Sequence, residues 1–315
     1  MRIKKVIQGI SFLNKSYTKW KWRERKVRWG NEFQDKTFFV VRRANCKIGL
    51  FSHVMTNMGL VKYALEKGYI PVIDMQSSAS NYLEKDKIGK ENAWEYFFCQ
   101  PCGYSLDDIK KAQNVILSNG LITKDNIYPD FRIAESQELF DYWHPFFQKY
   151  LKLSENILEE FEEFKGSFFD EGKTLGILAR GTDYITSRPK GHPIQPTVEQ
   201  IIKKAKEVAK IKSCKKIYLA TEDATIFQKL KETFGDRLVA PEVERYETKG
   251  SENINDLVSK NEKDKVQKGK EYLLSILMLA NCDCIVAGNA GGTHGALLMG
   301  KGYEYQYIFN LGVYE

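Results

Sequence analysis

Short apolar runs alternate along the chain with longer segments in which apolar residues recur every three or four positions. Residues 37–41 and 69–74 are rich in β-branched and aromatic side chains, and they predict strands. The segment between them carries Met58, Val61 and Leu65 at helical spacing and predicts a helix. Residues 90–166 are rich in aromatic side chains and predict a mainly helical region.

The second half of the chain alternates more regularly between the two patterns. Strands are predicted at 174–179, 216–220, 237–240, 284–287 and 305–309, and helices at 197–209, 224–234, 271–281 and 294–299. Thr197 is a candidate N-cap for the first of these helices. Strands that alternate with helices form parallel βαβ units with helices on both faces of a sheet. The sequence therefore predicts an α/β protein.

Changes in this pattern divide the chain into three predicted parts. Residues 1–35 form a basic N-terminal arm, residues 36–168 a first Rossmann-like domain with a helical insertion, and residues 169–315 a second Rossmann-like domain. A chain of 315 residues with 43% hydrophobic and 13% aromatic residues can bury two cores, which excludes a mainly disordered protein.

The net charge of +7 is concentrated at the start of the chain. Residues 1–30 contain ten Lys and Arg against Glu24 alone, a net charge of +9, whereas the remaining residues carry a net charge of −2. Trp20, Trp22 and Trp29 lie within this basic segment. The mixture suits contact with an anionic membrane surface, although a solvated extension has the same composition. A nucleic-acid-binding protein would carry basic residues across its body, and the near-neutral remainder argues against one.

Targeting and cysteine patterns indicate a cytoplasmic protein. No run of about 18 uncharged apolar residues occurs, and residues 1–10 lack the apolar stretch of a signal peptide. Cys99 and Cys102 form a C-x-x-C pair, but the spacing of Cys282 and Cys284 does not supply a second pair of zinc ligands. Reduced structural cysteines and no metal are expected.

The loops that follow the strands are where chemistry is expected, because open α/β sheets bind ligands beyond the carboxyl ends of their strands. Arg180 follows the apolar strand 174–179, and its guanidinium can fork onto phosphate oxygens. Gly181 lets the backbone approach a ligand closely, and Asp183 adds a carboxylate. A structural pair between Arg180 and Asp183 is the competing interpretation.

A second loop, residues 288–295, reads Gly-Asn-Ala-Gly-Gly-Thr-His-Gly between a predicted strand and a predicted helix. Its small residues expose backbone N–H groups at a helix N-terminus, which is an anion site. No Gly-Lys-Ser/Thr follows, so the loop is not a P-loop. We predict phosphate binding here rather than a plain tight turn, with side-chain hydrogen bonds. The residues expected to contact the donor are Asn289, Gly291, Gly292, Thr293 and His294.

Two further loops carry candidate residues. Glu222 and Asp223 follow the strand 216–220, where they either cap the next helix or bind a ribose hydroxyl and orient the arginine. In the first domain, Gly49 and Phe51 are candidate donor contacts at the start of a helix. His53 would face the cleft there as a candidate acid or base. A helix-start histidine without a catalytic role is the alternative.

Two α/β domains with anion-binding loops in the second are typical of nucleotide-sugar transferases of the GT-B type. In these enzymes two Rossmann-like domains with parallel sheets face each other across a cleft. No Asp-x-Asp motif is placed to hold a metal ion. Arg180 and the helix N-terminus at Gly291 are therefore expected to balance the charge of a diphosphate leaving group.

The sequence resembles the fucosyltransferase superfamily that includes the α-1,6-fucosyltransferases, the nodulation fucosyltransferases and the protein O-fucosyltransferases. The resemblance runs from about residue 45 to 300. Residues 179–184, Ala-Arg-Gly-Thr-Asp-Tyr, and 192–194, His-Pro-Ile, resemble the family's Val-Arg-Arg-Thr-Asp-Lys and His-Pro-Ile blocks. Residues 218–223 resemble its Tyr-Leu-Ala-Thr-Asp-Asp block, and residues 273–298 resemble the end of its catalytic core.

The resemblance implies a metal-independent, inverting GT-B enzyme that uses GDP-fucose, with Arg180 on the β-phosphate. It also implies that Glu222, Asp223 and the turn at 291–293 surround the donor. The α-1,6 branch has a glutamate, proposed as catalytic base, where this chain has Arg188. Asp183 and His53 are therefore the candidate bases.

The expected function is fucosyl transfer to a glycan or lipid-linked acceptor in surface polysaccharide synthesis. The basic arm would lie on the inner face of the cytoplasmic membrane, where lipid-linked acceptors are found. One alternative keeps the fold and uses another nucleotide sugar. An alternative of another class is a non-catalytic protein that binds nucleotides or nucleic acid.

Overall fold

The structure is a computed structural model that describes residues 11–122, 127–169, 172–180, 188–246 and 265–315. Its strands are β1 (Arg25–Val27), β2 (Phe38–Val41), β3 (Ile70–Ile73), β4 (Val115–Leu117), β5 (Thr174–Leu178), β6 (Lys216–Ala220), β7 (Leu238–Val239), β8 (Cys284–Gly288) and β9 (Tyr305–Phe309). Its helices are α1 (Ser11–Trp22), α2 (Leu50–Glu66), α3 (Leu106–Ile109), α4 (Gln137–Tyr150), α5 (Glu155–Phe168), α6 (Val198–Ile211), α7 (Ala224–Phe234), α8 (Lys265–Ala280) and α9 (Gly291–Met299).

The first sheet has the strand order β1-β4-β2-β3. β2 pairs in parallel with β3 and β4, whereas β1 pairs antiparallel with β4 at the edge. All four residues of β2 are buried, which is typical of a parallel strand covered on both faces. Phe38 and Val40 pack with Val72 and Val115 in the core of this unit.

The second sheet is entirely parallel, with the strand order β7-β6-β5-β8-β9. Helices α6 and α7 pack on one face, where Ile201 and Leu230 join a core with residues of β5, β6 and β8. Helix α8 packs on the other face, so closely that a Cβ on Gly176 of β5 would lie 2.6 Å from Leu279. This layered arrangement is the predicted Rossmann-like architecture.

The boundary between the two compact units differs from the predicted one at residue 168. The first unit is Met1–Tyr128 with Tyr150–Lys152, and the second is Pro129–Lys149 with Leu153–Glu315. Helix α4 belongs to the second unit because His144 Nε2 bonds the carbonyl oxygen of Gly300 at 2.9 Å. Helix α5 belongs there as well, since Glu160 pairs with Lys270 of α8 at 2.6 Å.

Two expectations for the first half of the chain were wrong. Residues 25–27 do not form part of a separate arm, because β1 is a strand of the first sheet. Residues 90–122 are not mainly helical: they consist of turns, the short helix α3 and the buried strand β4. None of the helices formed by the described residues is both long and apolar enough to cross a membrane.

Candidate functional site

Three of the predicted loops meet at the carboxyl edge of the second sheet. In the strand register Leu178 of β5 lies opposite Ala220 of β6 and Ala287 of β8, so these three strands end level with one another. The chain leaves β5 toward β6 on one side and later returns through β8 on the other. The edge between β5 and β8 is therefore a topological switch point, where open α/β sheets bind ligands.

Arg180 stands at this switch point. The backbone N–H of Ala179 still donates to the carbonyl of Ala220 at 3.2 Å, so strand pairing continues to the residue before the arginine. The Arg180 side chain is half-buried at the end of the central strand. Asp183 lies outside the described residues, so its predicted role stays a prediction.

The N-terminus of α9 is the second component of the site. The helix begins at Gly291, and the N-cap residue, Ala290, has no side-chain oxygen to accept from the first turn. The first backbone N–H groups of a helix have no partner within the helix, and they carry the positive end of its dipole. Gly292 is closely packed, and a Cβ there would lie 2.8 Å from the Tyr272 hydroxyl. This arrangement suits the oxygens of a phosphate group.

The side chains of Asn289, Thr293 and His294 are turned into the protein, in contrast to the expectation that they bond the donor. Asn289 is 2% exposed; its Nδ2 donates to the carbonyl of Phe131 (3.1 Å) and to Glu135 Oε1 (3.2 Å). His294 Nε2 bonds Asn289 Oδ1 at 2.6 Å, and Thr293 Oγ1 donates to the backbone at 2.6 Å. These side chains hold the loop in shape, and its backbone is what remains for a ligand.

Glu222 and Asp223 make different contacts from each other. Asp223 is 1% exposed and caps α7, its Oδ1 accepting from the backbone N–H of Ile226 at 3.0 Å. The Glu222 backbone carbonyl accepts from the N–H of Tyr246 at 2.8 Å, which ties residues 241–246 to the loop after β6. Capping is thus the observed role of Asp223.

The candidates in the first unit are interior residues. Phe51 is 2% exposed and His53 is 1% exposed, so the expectation that His53 would be open at the start of its helix was wrong. His53 Nε2 lies 3.1 Å from the carbonyl oxygen of Cys46. Burial, and then the nearby Arg43, lower the pKa of His53 to about 4. Gly49 is the N-cap of α2, and its φ of −66° is open to any residue.

Three residues without a predicted role support the site. Gln195, 4% exposed, donates from Nε2 to the backbone carbonyl of Asn289 at 2.8 Å, and it directly follows the His-Pro-Ile block. Phe131 and Glu135 lie before residue 169, where the second domain was predicted to begin, and no local motif marks them. Beside Asn289 they help to line a pocket of about 160 Å³. Among the described residues, no cluster of His, Cys, Asp and Glu could hold a metal ion.

Two buried histidines are expected to make stability depend on pH. Burial lowers the pKa of both His53 and His294 to about 4, well below the ordinary value of 6.5. Between these values the unfolded chain binds protons that the folded chain does not, so stability is full above pH 6.5 and is lost as the pH falls toward 4. For each histidine we expect the free energy of unfolding to fall by about 2 kcal/mol as the pH is lowered from 7 to 5.

Urea unfolding at the two pH values measures this loss, and His53→Gln and His294→Gln variants should each reduce it by about half. A free energy of unfolding that is equal at both pH values in the unmodified protein would contradict the assignment.

The fold is shared with the α-1,6-fucosyltransferase NodZ. A NodZ structure soaked with GDP-fucose matches with a TM-score of 0.51 at 17% identity, over 84% of this chain and 93% of that chain. NodZ co-crystallised with GDP matches with a TM-score of 0.51 at 18% identity over the same shares. NodZ from Bradyrhizobium matches with a TM-score of 0.50 at 18% identity, over 84% of this chain and 94% of that chain. No protein-family model and no curated protein sequence matches the chain. The predicted GT-B-like α/β fold and the resemblance to fucosyltransferases are confirmed at the level of the fold.

Proposed function

We propose that this protein is a glycosyltransferase that transfers fucose from GDP-fucose to a glycan or lipid-linked acceptor without a metal ion. The observation that carries the proposal is the switch point of the second sheet. There a half-buried arginine, Arg180, follows β5. The N-terminus of α9, which has no side-chain cap, follows the adjacent strand β8. Both are donors suited to a diphosphate. The neighbours in fold include NodZ soaked with GDP-fucose.

In the proposed reaction an acceptor hydroxyl attacks the anomeric carbon of the sugar and displaces GDP with inversion. The bond from that carbon to the β-phosphate oxygen breaks, and negative charge develops on the diphosphate. The Arg180 guanidinium and the α9 backbone N–H groups would stabilise this charge in place of a metal ion. A base must accept the hydroxyl proton. The burial of His53 and its low pKa favour Asp183 over His53 for that role.

Calorimetric titration of the purified protein with GDP, UDP and GDP-fucose, in the presence of a metal chelator, tests the donor. Binding of GDP and GDP-fucose but not UDP would support the proposal, and fucose release or transfer from bound GDP-fucose would establish turnover. Binding of UDP alone would keep the fold and change the donor. The absence of binding by every nucleotide would overturn the transferase proposal.

We also propose that the basic segment contacts an anionic membrane, where a lipid-linked acceptor would be found. Trp20 is 57% exposed and Trp29 45% exposed, although both are large apolar side chains. Exposed lysines such as Lys19 and Lys26 accompany them. Indole rings sit at the level of lipid headgroups, and basic residues are attracted to anionic lipids.

Vesicle sedimentation should therefore show binding to phosphatidylcholine vesicles only when phosphatidylglycerol is included. Replacing Lys19 and Lys26 with glutamine should weaken that binding about thirtyfold, since each lysine contributes about 1 kcal/mol. The matched control replaces two exposed lysines of α6, Lys203 and Lys210, and should leave binding unchanged. Equal losses of vesicle binding in the two double variants would show that binding depends on net charge and not on a specific surface, and would contradict the proposal.

A further inference from the structure

The first sheet has a switch point of its own. The chain leaves β2 toward β3 on one side and later returns through β4 on the other side of β2. The carboxyl ends of β2 and β4 are therefore a second place where this type of sheet binds ligands. Two consecutive arginines, Arg42 and Arg43, follow β2 at this point.

Arg42 holds the sheet edge together with two of its guanidinium nitrogens. Its Nε donates to the Ser118 carbonyl at 2.9 Å, and its Nη2 donates to the Arg23 carbonyl at 2.9 Å. Its guanidinium also lies 5.3 Å from the centre of the Trp22 ring. These contacts join β2, β4 and the end of α1, so Arg42 has a structural role.

Arg43 is held differently. A single nitrogen, Nη1, donates to the Ser52 carbonyl at 3.1 Å and to Thr56 Oγ1 at 2.5 Å, on the first turns of α2. Within the described chain, the other two guanidinium nitrogens form no hydrogen bond, and no carboxylate pairs with the group. Burial lowers the pKa of Arg43, and the side chains that oppose this effect are those of Cys46 and Tyr128.

One carboxylate does follow a neighbouring strand of this sheet, and it already has hydrogen-bond partners. Asp74 follows β3, and its Oδ1 accepts from the backbone N–H groups of Gln76 and Ser77, both at 2.9 Å. Its Oδ2 accepts from the Ser77 hydroxyl at 2.6 Å. A half-buried cation without a carboxylate is unfavourable in the free protein, and an anionic ligand would remove that penalty.

We propose that Arg43 is the anchor of a second anion site, at the switch point of the first sheet, which takes a phosphate or a carboxylate group. Thr56 and the Ser52 carbonyl fix one side of the guanidinium, and its remaining N–H groups present a fork that matches two oxygens of such a group. The assignment of this anion to the acceptor rests on the proposed function, whereas the anion site itself does not. The acceptor would then carry a phosphate, as a lipid-linked sugar does, or an acidic sugar.

Arginine modification by phenylglyoxal, followed residue by residue with peptide mass spectrometry, tests the site in the unmodified full chain. The probes are inorganic pyrophosphate and glucuronate. Each is added separately to the unmodified protein and to an Arg180→Ala variant, which lacks the arginine of the proposed donor site. We expect a saturating probe to slow modification of Arg43 about tenfold, because the fork is covered. Arg42 is the internal control, and its rate should not change.

Protection by pyrophosphate alone would identify a phosphate site, and protection by glucuronate alone a carboxylate site. Calorimetry then measures how tightly the protecting probe binds to Arg180→Ala and to the double variant that also carries Arg43→Lys. Lysine keeps the charge and removes the fork, so the double variant should bind the probe more weakly. Failure of both probes to protect Arg43 in either protein would overturn the proposal. GDP protection of Arg180, measured in the same unmodified protein, reports separately on the proposed donor site.

Discussion

Replacing Arg180 with alanine is expected to weaken GDP binding by about a hundredfold to ten-thousandfold. The side chain stands at the end of the central strand of the second sheet, level with the ends of β6 and β8. A bidentate contact to a phosphate supplies two charge-assisted hydrogen bonds of about 1.5–3 kcal/mol each, and every 1.4 kcal/mol is about tenfold in affinity. Calorimetric titration with GDP measures the loss, and Arg180→Lys should retain part of the affinity because it keeps the charge.

Arg237→Ala is the matched control for this experiment. Its guanidinium belongs to the same unit but bonds the carbonyls of Cys214 (2.7 Å) and Lys215 (3.1 Å), directly before β6 begins. It therefore lies at the opposite end of the strands, and GDP affinity should stay within about twofold of the unmodified protein. Equal GDP affinity in Arg180→Ala and in the unmodified protein would remove Arg180 from the donor site.

Replacing Asn289 with alanine is expected to lower the free energy of unfolding by about 3 kcal/mol and to weaken GDP binding as well. The amide is 2% exposed and bonds the Phe131 carbonyl, Glu135 and His294. Its removal leaves the buried His294 and the half-buried carbonyl of Phe131 without this partner, at about 1–3 kcal/mol for each group that water does not reach. The loop before α9 would lose its fixed shape, and its backbone N–H groups would lose their alignment toward a phosphate.

Urea unfolding without ligand, followed by GDP titration under conditions in which the variant is folded, separates the two effects. Asn281→Ala is the matched control, because Asn281 makes one side-chain bond, to the Leu277 carbonyl at 2.9 Å, just before β8. We expect that control to lose about 1 kcal/mol and to bind GDP normally. An Asn289→Ala variant with the stability and GDP affinity of the unmodified protein would show that the loop does not depend on this network.

The two variants together test whether the proposed donor site has a part that contacts the ligand and a part that shapes the contact. At the switch point Arg180 is half-buried, and Gly291, the first residue of α9, is exposed. Asn289, Thr293 and His294 are buried. We therefore expect substitutions of the buried group to change stability together with affinity, whereas Arg180→Ala changes affinity alone.

Local patterns in the sequence correctly predicted most of the second unit. Its central strands are runs of apolar residues, and its helices carry their own start signals. Thr197 forms a capping box with Gln200 at the start of α6, and Asp223 caps α7. Such signals act over three or four residues, so they can be identified without knowledge of the fold. The positions of the loops at the carboxyl edge then follow from the parallel order of the strands.

The sequence did not reveal features that depend on distant partners. Strands β1 and β4 have three residues each. β1 pairs with β4 across about 90 residues of chain, and β4 also pairs with β2. The helices α4 and α5 belong to the second unit through contacts with Gly300 and Lys270. The pattern of the chain before residue 168 contains no sign of these contacts.

The order of residues along the chain is enough to establish which residue types follow the strands, and that an arginine and a helix N-terminus follow two adjacent strands of the second sheet. Which of those side chains face outward depends on how distant segments pack in the folded protein. Asn289 and His294 point inward because the segment that includes Phe131 and Glu135 packs against their loop. His53 is buried because α2 packs it inside the first unit. Burial and hydrogen bonding depend on chain segments that meet only after folding, and no local pattern encodes them.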